Sequence, residues 1–453
     1  MSSEFESARM DFYRHRIVKR GIVVVWCLSV VAAAGAEQIW KTVDQMSAVD
    51  QALFDPATST ARDSEYPYMP AERYPFDPPY TAEEMGYRSA EFPHISRWPA
   101  TILDVFGAIT SSGYINQGES VFYTNPTGMG LETYLYGTKP GNVYVSWMSY
   151  TTFPPESEGA QQLWAPYRTD KEFQTKMDFF VYSPQLRRVR RQPEPRRDQR
   201  FPDNAQTIDD VIGRDAWEFE WELLGTDVLY ETIRFPNTRT TITLNRGDKG
   251  FVERTTASMK AMGDDFLHYL PDGGVACWVV KATAKDDWLP GYSEKTLILW
   301  LEKHSFYPLR QEKFDRDGAL MTIEVRLAEH QMPELGTFGY TAFSTVYWNI
   351  PNDLISYSFH DAHSAHDWSE QEKAMIFTAE FMRRDWLYKP LKSQILIEDP
   401  DEYFMRPHLL PGKFPGARNV SIPADLEARV RAQNEAGHLI FESGGTATSI
   451  AGE

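Results

Sequence analysis

Cysteine is almost absent: Cys27 and Cys277 are the two in 453 residues. Cys27 falls in an apolar N-terminal stretch, so once that stretch is removed no intramolecular disulfide can staple the chain. Stability must then come from the size of the core, which a chain of this length can supply. Cys277 lies in VACWVVKAT, an apolar strand-like run, where a thiol serves as a small buried hydrophobe rather than a nucleophile. Long apolar runs are missing too. The uncharged stretch Gly21–Ala34 has fourteen residues, short of the roughly 20 that a membrane-spanning helix needs. Positive charge is scarce, with 46 Lys and Arg against 64 Asp and Glu and a net charge of −18. Nucleic-acid binding needs a broad basic surface, and this balance argues against it. Catalytic signatures are also missing: there is no Gly-x-Ser-x-Gly elbow, His-Glu-x-x-His pair or Walker loop. Catalytic groups need only meet in space, so this removes a reason to read an enzyme without forbidding one. The expectation is a non-enzymatic protein without a cofactor.

The N-terminus reads as an export signal. Arg14, Arg16, Lys19 and Arg20 precede the uncharged stretch, and Ala34-Gly35-Ala36 offers small residues for cleavage before Glu37. Residues before Met10 add nothing to that signal, so Met10 would serve equally as its start. Residues 1–36 are read as a signal peptide, with an uncleaved membrane anchor as the alternative. Val-Val-Trp ahead of Cys27 lacks the small residues of a lipid-attachment site. Removing residues 1–36 takes away five basic and three acidic groups and leaves −20. The compartment expected is the periplasm of a bacterium with two membranes, with outer-membrane association as an extension of that reading.

What the chain has in quantity is aromatic: 13 Trp, 23 Tyr and 26 Phe. Much of this alternates with polar residues, which favours a mainly β fold with α additions. Residues 37–114 are rich in Pro, Tyr and Glu with little periodicity, the composition of an extended arm pinned by aromatic side chains. Within it, Thr81-Ala-Glu-Glu84 has the form of a capping box. From 115 to 335 the pattern is that of a β domain, with strands expected at 119–125, 131–136, 142–150, 172–182, 215–224, 226–234, 238–244, 275–283, 294–302 and 319–327. DAWEFEWELLG is the clearest: Trp217, Phe219, Trp221 and Leu223 fall on one face, and Glu218, Glu220 and Glu222 on the water face. Asp315-Arg-Asp-Gly318 supplies a turn between strands. Residues 336–440 read as a helical and loop extension packed on the sheet. Helices are expected at 370–387, capped by Ser369 and Glu372, and at 423–436. Residues 441–453 form a frayed tail.

The stretch 176–200, KMDFFVYSPQLRRVRRQPEPRRDQR, reverses the charge of the chain. Pro184, Pro193 and Pro195 forbid one helix, so a strand, a tight turn and a second strand fit best. Arg187, Arg188, Arg190, Arg191, Arg196, Arg197 and Arg200 outnumber Glu194 and Asp198. Strand alternation sets Arg188 and Arg190 on one side and Arg187, Val189 and Arg191 on the other. Guanidinium groups pair with carboxylates or phosphates. Three readings stay open: a network with the chain's own acids, including the Glu218, Glu220 and Glu222 face; docking of an acidic partner; and an anionic head group.

VYSPQLRRVRRQPEP, then Asp209-Asp210, WEFEWELLGTDVLYE, CWVVKAT and LILWLEKHSFYPLRQEKFDRDGALM together resemble an exported bacterial family. It is the domain-of-unknown-function family 1329, which is similar to the lipoprotein-sorting proteins LolA and LolB. Where that family has Pro-Gly-Gln, this chain reads Pro184-Gln185-Leu186, a divergent branch. The resemblance covers residues 176–327 well and about 70–440 loosely. It implies a strongly curved antiparallel sheet, a LolA-like incomplete β-barrel, with helices in or against its concave face. It also implies a carrier of lipid or other hydrophobic cargo, working with a permease of the resistance-nodulation-division type. The residues expected to line the hydrophobic cavity are Trp217, Phe219, Trp221, Trp278 and Trp300, for which ordinary core packing is the alternative. Arg187, Arg188, Arg190 and Arg191 would hold a partner or a head group.

Two other functions remain. One is a docking subunit that bridges a permease and an outer-membrane protein without cargo. The other is a metal-dependent hydrolase built on His360, His363, His366 and Asp367, whose side chains are suitable for zinc. On a strand, His363 would point away from the other two histidines. Only a loop gathers them, and polar loop residues leading into the helix cap are the plainer reading.

Overall fold

The computed structural model describes residues 40–56, 60–71, 78–90, 100–109, 115–126, 138–202, 204–229, 241–245, 251–255, 275–303, 306–330, 340–365 and 370–383. Its first seven strands are β1 (Lys41–Thr42), β2 (Ala100–Ile109), β3 (Ile115–Pro126), β4 (Val145–Phe153), β5 (Gln161–Pro166), β6 (Met177–Ser183) and β7 (Arg188–Arg191). β8 (Phe219–Leu229), β9 (Thr241–Asn245), β10 (Phe251–Thr255), β11 (Val275–Ala284) and β12 (Thr296–Glu302) follow. β13 (Pro308–Phe314), β14 (Leu320–His330), β15 (Tyr340–Asn349) and β16 (Leu354–Ala365) complete the set. Five short helices accompany them: α1 (Ala48–Ala52), α2 (Ala82–Ser89), α3 (Ile208–Ile212), α4 (Glu370–Ile376) and α5 (Ala379–Arg383).

Fourteen strands make one curved antiparallel sheet in the order β1-β8-β11-β12-β13-β14-β15-β16-β2-β3-β4-β5-β6-β7. β1 and β7 are its edges, so the sheet is open, and among the described residues β9 pairs only with β10. Two meanders build it. β2 to β7 run outward in one direction, β11 to β16 return from the other end, and the two meet where β16 pairs with β2. The sheet therefore draws β2 from the stretch read as arm, and β15 and β16 from the stretch read as a helical extension. The signal region, the second C-terminal helix and the tail lie outside the described residues, as do Ser369 and the 131–136 strand. Among the described residues, no helix is long and apolar enough to cross a membrane.

This topology sets a problem for the chain. β7 is one edge and β8 lies beside the other, so residues 192–218 must cross the breadth of the sheet. They do so along one face, carrying α3 with them. Thr207 caps α3, accepting from the Asp210 amide at 3.3 Å, and Gly213 ends it at φ 82°. The segment pairs partly with itself, through Phe201 N–H to Gln206 O and Ile208 N–H to Gln199 O. Its remaining polar groups must find partners on the strands beneath.

The expected capping box opens α2: Glu84 N–H donates to Thr81 Oγ1, and Thr81 N–H to Glu84 Oε2. The expected turn at Asp315–Gly318 joins β13 to β14, with Gly318 at φ 81°. The helix expected over 370–387 is instead two pieces, broken near Thr378, whose hydroxyl caps the second by accepting from Phe381 N–H at 3.1 Å. A side-chain acceptor beside the backbone starts a new helix rather than continuing the old one.

Candidate functional site

The apolar alternation of β8 positions one wall. Register pairs Trp221 with Ala282 and Leu223 with Val280, and Trp278 with Leu301, so these residues share a face with Leu297 and Leu299. The cover over this face is the arm. Met46, Met69, Met85 and Tyr87 pack on Trp217, Phe219 and Trp278 in one buried cluster, with Trp221 at its margin. Trp217 precedes β8 in a 3-10 turn, and its indole donates to Thr169 O at 2.8 Å. A void of about 30 Å³ remains among Phe219, Trp221, Leu297 and Leu299, lined also by Arg214 and Gln311. That is room for a water molecule or two. Trp300 lies on the opposite face: it pairs with Val279, donates to Asp227 Oδ2 at 2.8 Å, and meets Trp40 edge-on. Four of the five aromatic candidates thus share one wall, and the fifth stands behind it.

The crossing segment brings together the second constellation. Arg197 bonds both Asp209 (2.8 Å) and Glu218. Arg214 bonds Asp210 (2.8 Å) and Glu294. Lys313 on β13 meets Asp210 and, at 2.9 Å, Glu324 on β14, which also binds Arg326 at 2.6 Å. Asp215 takes Lys176 at 2.7 Å and Arg168 at 3.1 Å. All these residues are buried except Arg197, which is partly so. Burial alone would raise the Asp210 carboxyl, but Lys313 and Arg214 overcome it and hold the group well below the ordinary range. At Asp215, Lys176 and Arg168 overcome burial in the same way. Glu294 goes the other way, its burial outweighing Lys313 and Arg214, and its pKa is raised. These buried ion pairs tie the crossing segment to the strands beneath it, since breaking one would leave an uncompensated buried charge.

The network corrects one expectation. Glu220 and Glu222 face water, but Glu218 is buried, because the 3-10 turn at Ala216–Glu218 breaks the alternation and directs its carboxylate to Arg197. Sequence reasoning passed over Lys313, Glu324 and Arg326. Gln311 and Lys313 in PLRQEKF, with Thr322, Glu324 and Arg326 in TIEVR, look like a polar solvent face, and only the crossing segment above them makes that face interior.

Between the crossing segment and the β11–β12 turn lies a groove of about 320 Å³, lined by Lys171, Arg196, Asp198, Trp288, Leu289 and Tyr292 among others. Its volume is at the low end of ligand sites, which run to about 1,000 Å³. Its charges are already paired, Arg196 with Asp198 at 2.9 Å and Lys171 with Asp287 at 2.6 Å.

The arginine run splits between inside and outside. Arg197 belongs to the network, Arg200 reaches Thr322 at 3.5 Å, and Arg191 bonds Asp178. Arg187, Arg188 and Arg190 are exposed and have no side-chain partner among the described residues. Arg187 is a turn residue at φ 50° rather than a strand residue, and Leu186 beside it is 53% exposed. Register confirms that Arg188 and Arg190 share a face opposite Ser183 and Val181.

His360 and His363 lie on β16, not in a loop. The backbone register sets position 360 opposite Asp104 and position 363 opposite Ile102, with an irregularity between His360 and Ala362. His366 and Asp367 lie outside the described residues. Among the described residues, no group of three or more His, Cys, Asp or Glu could hold a metal.

A family model described as protein of unknown function (DUF1329) matches residues 72–383. Among curated proteins, none matches the sequence. Three solved structures are similar. A DUF1329 family protein from Desulfovibrio piger has 12% identity and a TM-score of 0.46, covering 66% of this chain and 97% of that one. A protein described as an outer membrane lipoprotein-sorting protein domain, from Vibrio parahaemolyticus, has 11% identity and a TM-score of 0.45, with coverage of 67% and 98%. A LolA superfamily protein from Nitrosomonas europaea has 12% identity and a TM-score of 0.38, with coverage of 67% and 99%.

Proposed function

Since this chain belongs to the DUF1329 family, we propose that it is a non-enzymatic accessory protein of the periplasm that carries an apolar ligand on the inner face of β8, β11 and β12. One observation carries this reading. Among the described residues, the apolar wall formed by β8, β11 and β12 is covered by short arm segments rather than by further strands or a long helix. While Lys303 to Asp50 is more enclosed, two of the arm's polar links to the rest of the chain are partly solvated, Lys139 to Asp63 at 2.8 Å and Tyr68 to Asp170 at 2.8 Å. Exposed pairs of this kind contribute roughly 0–1 kcal/mol each. A lipid or polycyclic ligand would take the place of Met46, Met69 and Met85 against Phe219, Trp221 and Trp278, while Trp300 supports the wall from behind. Work with a permease of the resistance-nodulation-division type, and delivery toward the outer membrane, complete the proposal.

The test is to purify the protein from its own cell envelope, extract it with organic solvent, and examine the extract by mass spectrometry. A recurrent lipid, and uptake of a fluorescent fatty acid that falls at least tenfold in Trp278→Ala, are expected. An empty protein that takes up no probe would end the carrier reading. A second reading then stands, favoured by the small void left on the wall and by Arg187, Arg188 and Arg190, which have no side-chain partner among the described residues. It is a docking subunit that bridges a permease and an outer-membrane protein without cargo.

A further inference from the structure

We propose that β7 is a receptor edge, which binds a short acidic segment of a partner protein as an added antiparallel or parallel strand. The inference deepens the docking reading by naming the chemistry of the partner. β7 is the last strand of the sheet. Its register pairs Ser183 with Arg188 and Val181 with Arg190, and Gln192 N–H donates to Phe179 O at 2.8 Å. In an antiparallel ladder this makes Arg188, Arg190 and Gln192 the positions that bond inward to β6. The backbone N–H and C=O of Val189 and Arg191 therefore face away from the sheet.

Side chains set the specificity. Arg188 and Arg190 stand two residues apart on one face, and Arg187 adds a third guanidinium at the turn; all three are exposed and without a side-chain partner among the described residues. A strand laid along β7 would bring alternate side chains opposite this pair, so carboxylates at every second position fit and lysines do not. Pairing with β7 of a second copy is disfavoured by the same rule, since it would bring arginine against arginine. Charged edges commonly serve only to block such pairing. Here the positive excess stands on a chain of net charge −18, so the edge repels copies of itself while it attracts acidic chains. Pro193 lacks a donor and ends the edge. The segment bound is therefore four or five residues long.

The experiment uses the full protein and a fluorescein-labelled decapeptide alternating Glu and Val, followed by anisotropy at low and physiological salt. Controls are a peptide of the same composition with its glutamates in one block, and the alternating peptide N-methylated at every second amide. Tighter binding of the alternating peptide is expected, with at least a tenfold loss on N-methylation and in R188E/R190E. Both arginines are exposed, so an unchanged thermal melt verifies folding. Equal binding of the block or methylated peptide would overturn the inference. So would binding to phosphatidylglycerol vesicles that depends on Leu186 and these arginines, without any peptide binding. If envelope partners are still captured through Arg187–Arg191 while no peptide binds, strand addition fails and the docking reading survives.

Discussion

Trp221 of β8 packs against Gly86 of α2 so closely that a β-carbon added at Gly86 would lie 2.1 Å from the indole ring. The ring is held there by its own N–H, which donates to Ala216 O at 2.8 Å. This contact is where the arm meets the apolar wall.

Gly86→Ala tests it. Alanine gains about 1 kcal/mol of helix propensity over glycine, whereas an overpacked contact costs typically 1–3 kcal/mol. At 2.1 Å the clash dominates, so the variant should unfold at lower urea concentration than wild type. In a Trp221→Leu background the same change should turn neutral or stabilising, and a double-mutant cycle reads that coupling. Equal losses in both backgrounds would mean that the contact does not hold the arm.

Gly225→Ala tests the other attachment. Gly225 has φ 152°, and a β-carbon there would meet Lys41 O at 1.8 Å, because β1 pairs with β8 at this point. Backbone cannot move aside as a side-chain tip can. Amide hydrogen exchange at Lys41–Thr42 should accelerate at least tenfold, while β12 and β13 remain protected.

Lys313→Met should be among the most damaging single changes. It keeps the length and removes the charge, leaving Asp210 and Glu324 facing each other's buried carboxylates. Breaking a buried pair costs roughly 3–5 kcal/mol. Urea unfolding measures the loss; less than about 1 kcal/mol would show that the network does not fix the crossing segment.

Acid should loosen the same region. Asp210 and Asp215 have folded-state pKa values depressed by Lys313, Arg214, Lys176 and Arg168, against burial that would raise them. The folded form then binds fewer protons than the unfolded chain. Their contribution is complete above the unfolded value of about 4, and is lost as pH falls through the depressed values. Glu294, raised by burial, contributes in the opposite sense, its share being lost as pH rises through its raised value. Thermal melts between pH 7 and 2.5 should fall steeply below pH 4. Asp215→Asn should flatten that slope while lowering stability at pH 7.

Sequence alone determined much of the wall and little of the interior. Alternation in WEFEWELLG and VACWVVKAT forced Phe219, Trp221, Leu223 and Trp278 onto burial-seeking strands, because a period of two leaves each face one chemistry. The capping box at Thr81–Glu84, the turn at Asp315–Gly318 and the hairpin before Arg188 were equally local and equally legible. Tertiary structure decided which surface lay above each strand. Gln311 and Lys313 on one strand and Thr322, Glu324 and Arg326 on the next carry the polar alternation of a solvated face and became interior, since the passage from β7 to β8 laid residues 192–218 over them. The same passage drew Arg197 and Glu218 inward and left Arg187, Arg188 and Arg190 outside, although all four arginines belong to one run. Pairing partners distant in sequence set those fates, and periodicity carries no record of them.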